Sequence, residues 1–153
     1  SIHACVLRPE SRGTVRLASA DPAAAPLIDP NFLSDDRDMA TLRRGVRMMH
    51  RIVEVAPLSN YQPENRHPVN IDNDAELDQL IRNRADTVYH PVGTCRMGGD
   101  EASVVDPTLK ARGIDGLWVA DASIMPRLVS GNTNAPSIMI GERCADFVKS
   151  ALA

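Results

Sequence analysis

Hydrophobic residues recur with helical spacing in the first half of the chain. Between about 36 and 55 they occupy every third or fourth position, with Ser34 and Asp35 before them as capping candidates and Pro57 after them. This pattern predicts an amphipathic helix that ends before the proline. Its apolar stripe consists of Met39, Leu42, Val46, Met49 and Val53.

Two further helices are predicted from their start signals. One covers about 74–84, because Asn73 and Glu76 have the spacing of a capping pair. The other begins near Pro136, since proline is favoured at the first helical position. The apolar positions that support these two helices are Leu77, Leu80, Ile81, Ile138, Met139, Cys144, Ala145 and Val148.

Short apolar runs between turn-forming residues predict strands. Residues 2–7 and 13–18 are separated by a polar segment, so we expect them to form a hairpin-like antiparallel pair. Residues 21–30 contain three prolines and are expected to form an ordered loop. Residues 117–120, bounded by Gly116 and an aspartate, predict a buried strand.

Composition narrows the class of partner. The chain has 153 residues, of which 43% are hydrophobic and 24% are charged, and its net charge is -3. This balance is typical of a globular domain and gives no electrostatic reason to expect nucleic acid or an anionic membrane as partner. Small molecules and proteins remain as partners. No signal peptide and no membrane span is predicted, so we expect a cytoplasmic location, with peripheral membrane association left open.

Cysteine and histidine usage argues against a structural metal or a disulfide framework. The three cysteines contain no C-x-x-C pair, and the four histidines lack short ligand spacing. A reducing compartment therefore fits best, and no metal site is predicted. The first seven residues have the pattern of a strand already under way, so we expect the chain to begin within a longer protein.

One loop contains the first candidate for chemistry. Residues 89–99 are rich in turn-forming and polar residues, and Pro91 and Gly93 would hold His90 in a fixed pose. A partly buried histidine can remove the proton of a substrate hydroxyl, because imidazole titrates near neutrality. From the residue alone, a histidine that only hydrogen-bonds a strand end is the more common case.

Two other segments are suited to holding an anionic or hydroxyl-bearing ligand. Asn132 and Asn134 precede the last predicted helix, whose start presents unpaired N–H groups and the positive end of the helix dipole. Helix capping explains Asn134 but leaves Asn132 without a role. Asp121 follows an apolar run, where it would either cap the next turn or bind a ribose-like hydroxyl.

The order and spacing of these segments resemble one known family. Residues 89–98, 105–107, 113–126 and 131–143 are together similar to the C-terminal signature of the glucose-methanol-choline oxidoreductases, most of all its choline dehydrogenase-like and alcohol dehydrogenase-like branches. The resemblance implies a fold between α+β and α/β. Residues 1–86 would end an antiparallel-sheet substrate-binding domain, and 87–153 would supply the strand and helix that complete a Rossmann-like FAD-binding domain.

The resemblance also implies residue roles. His90 matches the family's catalytic histidine, and Asn132 matches its second active-site position. Asp121 and Ala122 match the segment at the flavin ribityl and pyrophosphate, and the turn facing the flavin pyrimidine ring is matched by Asn134, Ala135, Pro136 and Ser137. The implied activity is FAD-dependent oxidation of an alcohol to an aldehyde, with hydride transfer to flavin N5.

The sequence lacks one feature of such an enzyme. No G-x-G-x-x-G motif follows a predicted strand in this sequence, and in this family that motif binds the pyrophosphate of the cofactor. We therefore expect an upstream FAD-binding portion of the same enzyme as partner, with homo-oligomerisation left open. Two alternatives stay open, namely a cysteine nucleophile at Cys95 with His90 as its base, and a non-catalytic structural or interaction domain.

Overall fold

The computed structural model describes all 153 residues, which form two compact units, Ser1–Asp86 and Thr87–Ala153. The first contains a two-stranded antiparallel sheet and two helices, and the second contains one long helix. The mixed α and β content agrees with the expected fold class. None of the helices combines the length and apolar character needed to cross a membrane. The regular elements are β1 (Thr14–Arg16), β2 (Leu27–Asp29), α1 (Asp36–Val53), α2 (Asp74–Arg84) and α3 (Asn134–Leu152).

The sheet of the first unit pairs different segments from those predicted. β1 lies within the predicted second strand, but its partner is β2, with Val15 opposite Ile28, and residues 2–7 form no strand. The sequence prediction was wrong because β2 has only three residues between two prolines, too few to show alternation. Just before β1 the two backbone segments of the sheet approach closely, because a Cβ on Gly13 would lie 2.1 Å from the carbonyl oxygen of Asp29.

Both predicted helices of the first unit are confirmed. The side chain of Asp35 accepts a hydrogen bond from the N–H of Arg37 and caps α1. Asn73 caps α2 in the same way by accepting from the second and third N–H groups of that helix. The helices are joined by an ion pair in which Arg43 Nη2 lies 2.6 Å from Asp78 Oδ2. The buried apolar side chains of this unit are Met39, Leu77 and Ile81.

A buried carboxylate ties the segment before β1 to α1. Asp38 is 3% exposed and accepts hydrogen bonds from the N–H groups of Glu10 and Ser11, each at 2.9 Å, and from the Ser11 hydroxyl at 2.6 Å. Burial alone would raise the pKa of Asp38, but the hydrogen bonds from Ser11 and Glu10 outweigh burial and lower the pKa below its ordinary value. Asp38 is therefore ionised at neutral pH.

The second unit has a core built from loops and one helix. α3 contributes Ile140 and Cys144 to a buried cluster that also contains Val105, Leu109, Ile124 and Met125. The prediction of a buried strand at 117–120 was wrong, because Leu117 is exposed and only Trp118 forms a single antiparallel bridge, to Lys110. Gly116 at φ 72° and the turn after Ala120 confine the extended stretch to too few residues for a ladder.

Candidate functional site

The loop that carries His90 is fixed through its backbone. Tyr89 has φ 62° and Gly93 has φ 95°, so a left-handed residue lies on either side of His90. A non-glycine residue is strained in this conformation, which Tyr89 shares with five other non-glycine residues of the chain. Further along, the N–H of Cys95 donates to the carbonyl of Ser123 at 3.0 Å and the N–H of Met97 donates to Ile124 at 2.8 Å. The loop is thereby attached to the segment that follows Asp121.

The imidazole of His90 contacts the start of α3. Its Nδ1 lies 3.0 Å from the hydroxyl oxygen of Thr133 and 3.4 Å from the Thr133 backbone nitrogen. His90 is half-buried and Thr133 is 9% exposed. The hydrogen bonds of the ring within the chain use Nδ1, and Nε2 has no partner in the chain. The partner of the ring is a helix start and not a strand end.

The polar turn before α3 is arranged differently from the capping alternative. Thr133 is the residue that precedes the helix, and its side chain makes no capping hydrogen bond. Its carbonyl accepts from the N–H of Ser137 at 3.0 Å and from the Ser137 hydroxyl at 2.6 Å. Asn134 is the first helical residue, so capping does not explain it, and the predicted start at Pro136 was two residues late. Asn132 and Asn134 are both exposed.

Asp121 has the capping role that the sequence left open. Its Oδ1 accepts from the N–H of Ser123 at 2.7 Å and caps a short 3₁₀ helix, Ala122–Ile124. Asp121 is exposed, so capping leaves the carboxylate accessible. The hydroxyl of Ser123 is buried and has no hydrogen-bond partner in the chain. Buried hydroxyls are normally paired, so this atom is an exception to the usual pattern.

The turn after the His90 loop is held by polar groups. Arg96 Nη2 lies 2.7 Å from Asp100 Oδ1, and this hydrogen bond lowers the pKa of Asp100 to about 2. The Ser103 hydroxyl oxygen lies 2.6 Å from the carbonyl oxygen of Asp100 and 2.9 Å from that of Gly98, the two acceptors available to its one O–H. Arg112 donates to both the Ser103 hydroxyl and the Gly98 carbonyl. These contacts fix the chain that leaves the His90 loop.

Sequence reasoning missed Thr133 and the bond from Ser137 to it. The one available signal was the position of Thr133, a hydroxyl residue directly before a predicted helix, which indicates a cap and not a contact with a histidine 43 residues earlier.

The structure also bears on Cys95, since the ring of His90 bonds to Thr133 and not to the thiol. The thiol and imidazole pair that a cysteine nucleophile needs is not formed. No group of three or more metal-ligating side chains comes together.

Comparison with known proteins identifies the class. A family model described as GMC oxidoreductase matches residues 9–141, and the chain belongs to this glucose-methanol-choline family. It is 48% identical over 149 residues to an alcohol dehydrogenase (acceptor) of Pseudomonas putida, covering 97% of this chain and 27% of the relative. An oxygen-dependent choline dehydrogenase of Klebsiella pneumoniae is 44% identical over 148 residues, covering 96% and 27%.

A solved structure shows the same architecture. A formate oxidase of Aspergillus oryzae, solved as a variant to study FAD modification, superposes with a TM-score of 0.88 at 34% identity, covering 95% of this chain and 26% of that one. The chain thus spans about a quarter of the length of the relatives it matches. The family and this structure point to a flavin cofactor.

Proposed function

We propose that this chain supplies the catalytic base and part of the flavin pocket of an FAD-dependent enzyme that oxidises an alcohol to an aldehyde. The observation that carries the proposal is the pose of His90, which is held at Nδ1 by the residue before α3 and keeps Nε2 for a substrate. The relatives named as alcohol and choline dehydrogenases support the choice of a CH–OH substrate.

The chemistry assigned to the chain is proton removal and charge stabilisation. His90 Nε2 takes the proton of the substrate hydroxyl, and the carbon of the resulting alkoxide then releases a hydride. Asn132 is exposed beside Thr133, and we assign its amide to donate a hydrogen bond to the substrate oxygen as negative charge develops there. When bound, FAD supplies the acceptor for the hydride.

The residues present fit a flavin. Because the Thr133 side chain does not cap α3, the backbone N–H groups of Asn134 and Ala135 remain available for an anionic group, whereas Pro136 has no N–H and the N–H of Ser137 donates to the Thr133 carbonyl. We assign this helix start to the flavin ring, where it would stabilise negative charge. Asp121 and Ala122 would lie at the ribityl and pyrophosphate, next to the unpartnered hydroxyl of Ser123. The residues assigned at the helix start are Asn134, Ala135, Pro136 and Ser137.

We further propose that an upstream portion of the same enzyme covers the first unit and supplies the dinucleotide fingerprint. Both strands of the sheet are exposed along their whole length, with Val15 49% and Ile28 66% accessible. An isolated two-stranded sheet is marginal in water, so further strands or a helix packed against it would stabilise it. Residues 1–86 would then complete a substrate-binding domain, and 87–153 an FAD-binding domain.

Replacement of His90 in the full-length enzyme tests the proposal. His90→Ala should retain bound flavin and lose about 10²- to 10⁴-fold in turnover, which is the usual contribution of a general base. His67→Ala is the matched control, because His67 is an exposed histidine of the first unit that contacts Arg84. Flavin absorbance and steady-state turnover with primary alcohols are the measurements. A His90→Ala enzyme with the parent turnover would contradict the assignment and favour a non-catalytic role for this segment.

A further inference from the structure

We infer that Thr133 is a positioning residue whose hydroxyl accepts a hydrogen bond from His90 Nδ1–H and stabilises the doubly protonated imidazole formed when Nε2 takes the substrate proton. This inference rests on the proposed function. It starts from the contact between the hydroxyl oxygen and Nδ1 at 3.0 Å, which joins two side chains from separate loops of the second unit.

Only the hydroxyl can serve the protonated ring. Two groups of Thr133 approach Nδ1: the hydroxyl oxygen lies 3.0 Å away, and the backbone N–H, 3.4 Å away, is placed to donate to an unprotonated Nδ1. In the tautomer that can act as the base, Nδ1 carries the proton and Nε2 the lone pair, so this N–H then has no acceptor at Nδ1. A backbone N–H can donate but cannot accept, whereas a hydroxyl does either by rotating its hydrogen. Once both ring nitrogens carry protons, Nδ1–H needs an acceptor, and the hydroxyl oxygen is the acceptor in place. A hydrogen bond to a charged group is stronger than one between neutral groups.

The hydroxyl of Thr133 also lacks the capping hydrogen bond that a threonine before a helix usually makes. Threonine before a helix usually has extended backbone dihedrals and accepts from the second or third helical N–H. Thr133 instead has φ -89° and ψ -1°, and its side chain makes no capping bond. Its backbone is fixed by the two hydrogen bonds that Ser137 donates to its carbonyl. In this geometry the hydroxyl of Thr133 does not cap α3 and contacts the imidazole of His90 instead.

Hydroxyl deletion in the full-length, flavin-loaded enzyme tests the inference. Thr133→Val keeps the shape and removes the hydroxyl, and we expect the rate constant for flavin reduction at saturating alcohol to fall about 10- to 100-fold. The dissociation constant for the alcohol, the flavin content and the melting temperature should stay at the parent values. Thr133→Ser keeps the hydroxyl and should restore the rate. If the valine variant fails to retain flavin, Thr133→Ala and Thr133→Ser form the comparison, since they differ by the hydroxyl alone.

A double variant separates positioning from general packing. In a His90→Ala background, Thr133→Val should cause no further loss of rate, because the group it acts through is absent. Two results would overturn the inference: a hydroxyl-free variant that reduces flavin at the parent rate, and an equal loss with and without His90. Both results leave the outcome for the single variant His90→Ala unchanged. Failure of the inference can therefore be told apart from failure of the proposed function, because only His90→Ala tests the proposed function.

Discussion

Replacing Asp38 by alanine should release residues 10–11 from the first turn of α1. Three donors converge on this carboxylate, two backbone N–H groups and one hydroxyl, and Asp38 is 3% exposed. A hydrogen bond to a charged group contributes about 1.5–3 kcal/mol. Because the three bonds share two oxygens, and Glu10 and Ser11 are half-buried and can be partly rehydrated, the expected loss is about 3 kcal/mol, below the sum of three.

Amide hydrogen exchange followed by mass spectrometry measures this loss locally. A loss of about 3 kcal/mol corresponds to roughly 100-fold faster exchange of the Glu10 and Ser11 amides, since each 1.4 kcal/mol is a factor of ten. Asp36→Ala is the matched control, because it removes the same charge from the same helix turn at an exposed position. Equal exchange at residues 10–11 in the Asp38→Ala, Asp36→Ala and parent proteins would refute the reasoning.

The stability that the Asp38 carboxylate contributes through its hydrogen bonds to residues 10–11 depends on pH with a defined sign. The pKa of Asp38 is lowered in the folded chain, so its contribution to stability is present above the unfolded pKa of about 3.9 and is lost as pH falls through the folded value. Protection of residues 10–11, corrected for intrinsic exchange, should therefore persist at pH 5 and fall only in stronger acid. Loss of protection between pH 7 and 5 would contradict the assignment to Asp38.

Two other predictions concern the site and the surface. Asn132→Ala should slow flavin reduction by the equivalent of about 3 kcal/mol in the full-length enzyme, with Asn132→His partly active; a change in melting temperature alone, with the rate of reduction retained, would contradict it. The 153-residue chain expressed by itself should bind no stoichiometric flavin and should self-associate through exposed apolar side chains such as Leu17 and Ile28. Absorbance and light scattering at several concentrations check this, and a flavin-loaded monomer would contradict it.

The sequence determined the elements whose signals are local. The stripe of α1 and the Asn73 cap of α2 act within one or two helical turns, so pattern and capping rules located both helices. The family was recognised from the resemblance of several segments to a known signature, and the candidate roles of His90 and Asn132 came with that resemblance. Periodicity failed where an element is too short to show a period, as in β2 and at 117–120.

Only the tertiary structure decided which distant groups meet. The contacts of His90 with Thr133 and of Asp38 with Ser11 join residues 43 and 27 positions apart, and no local rule pairs a histidine with a residue at a helix cap. The same holds for the roles of hydroxyl groups, since Thr133 has the position of a cap but not its hydrogen bond. A polar side chain can hydrogen-bond to any of several partners, and it bonds to the one that tertiary packing brings within about 3 Å. That packing is a property of the folded chain and cannot be read from neighbouring residues in the sequence.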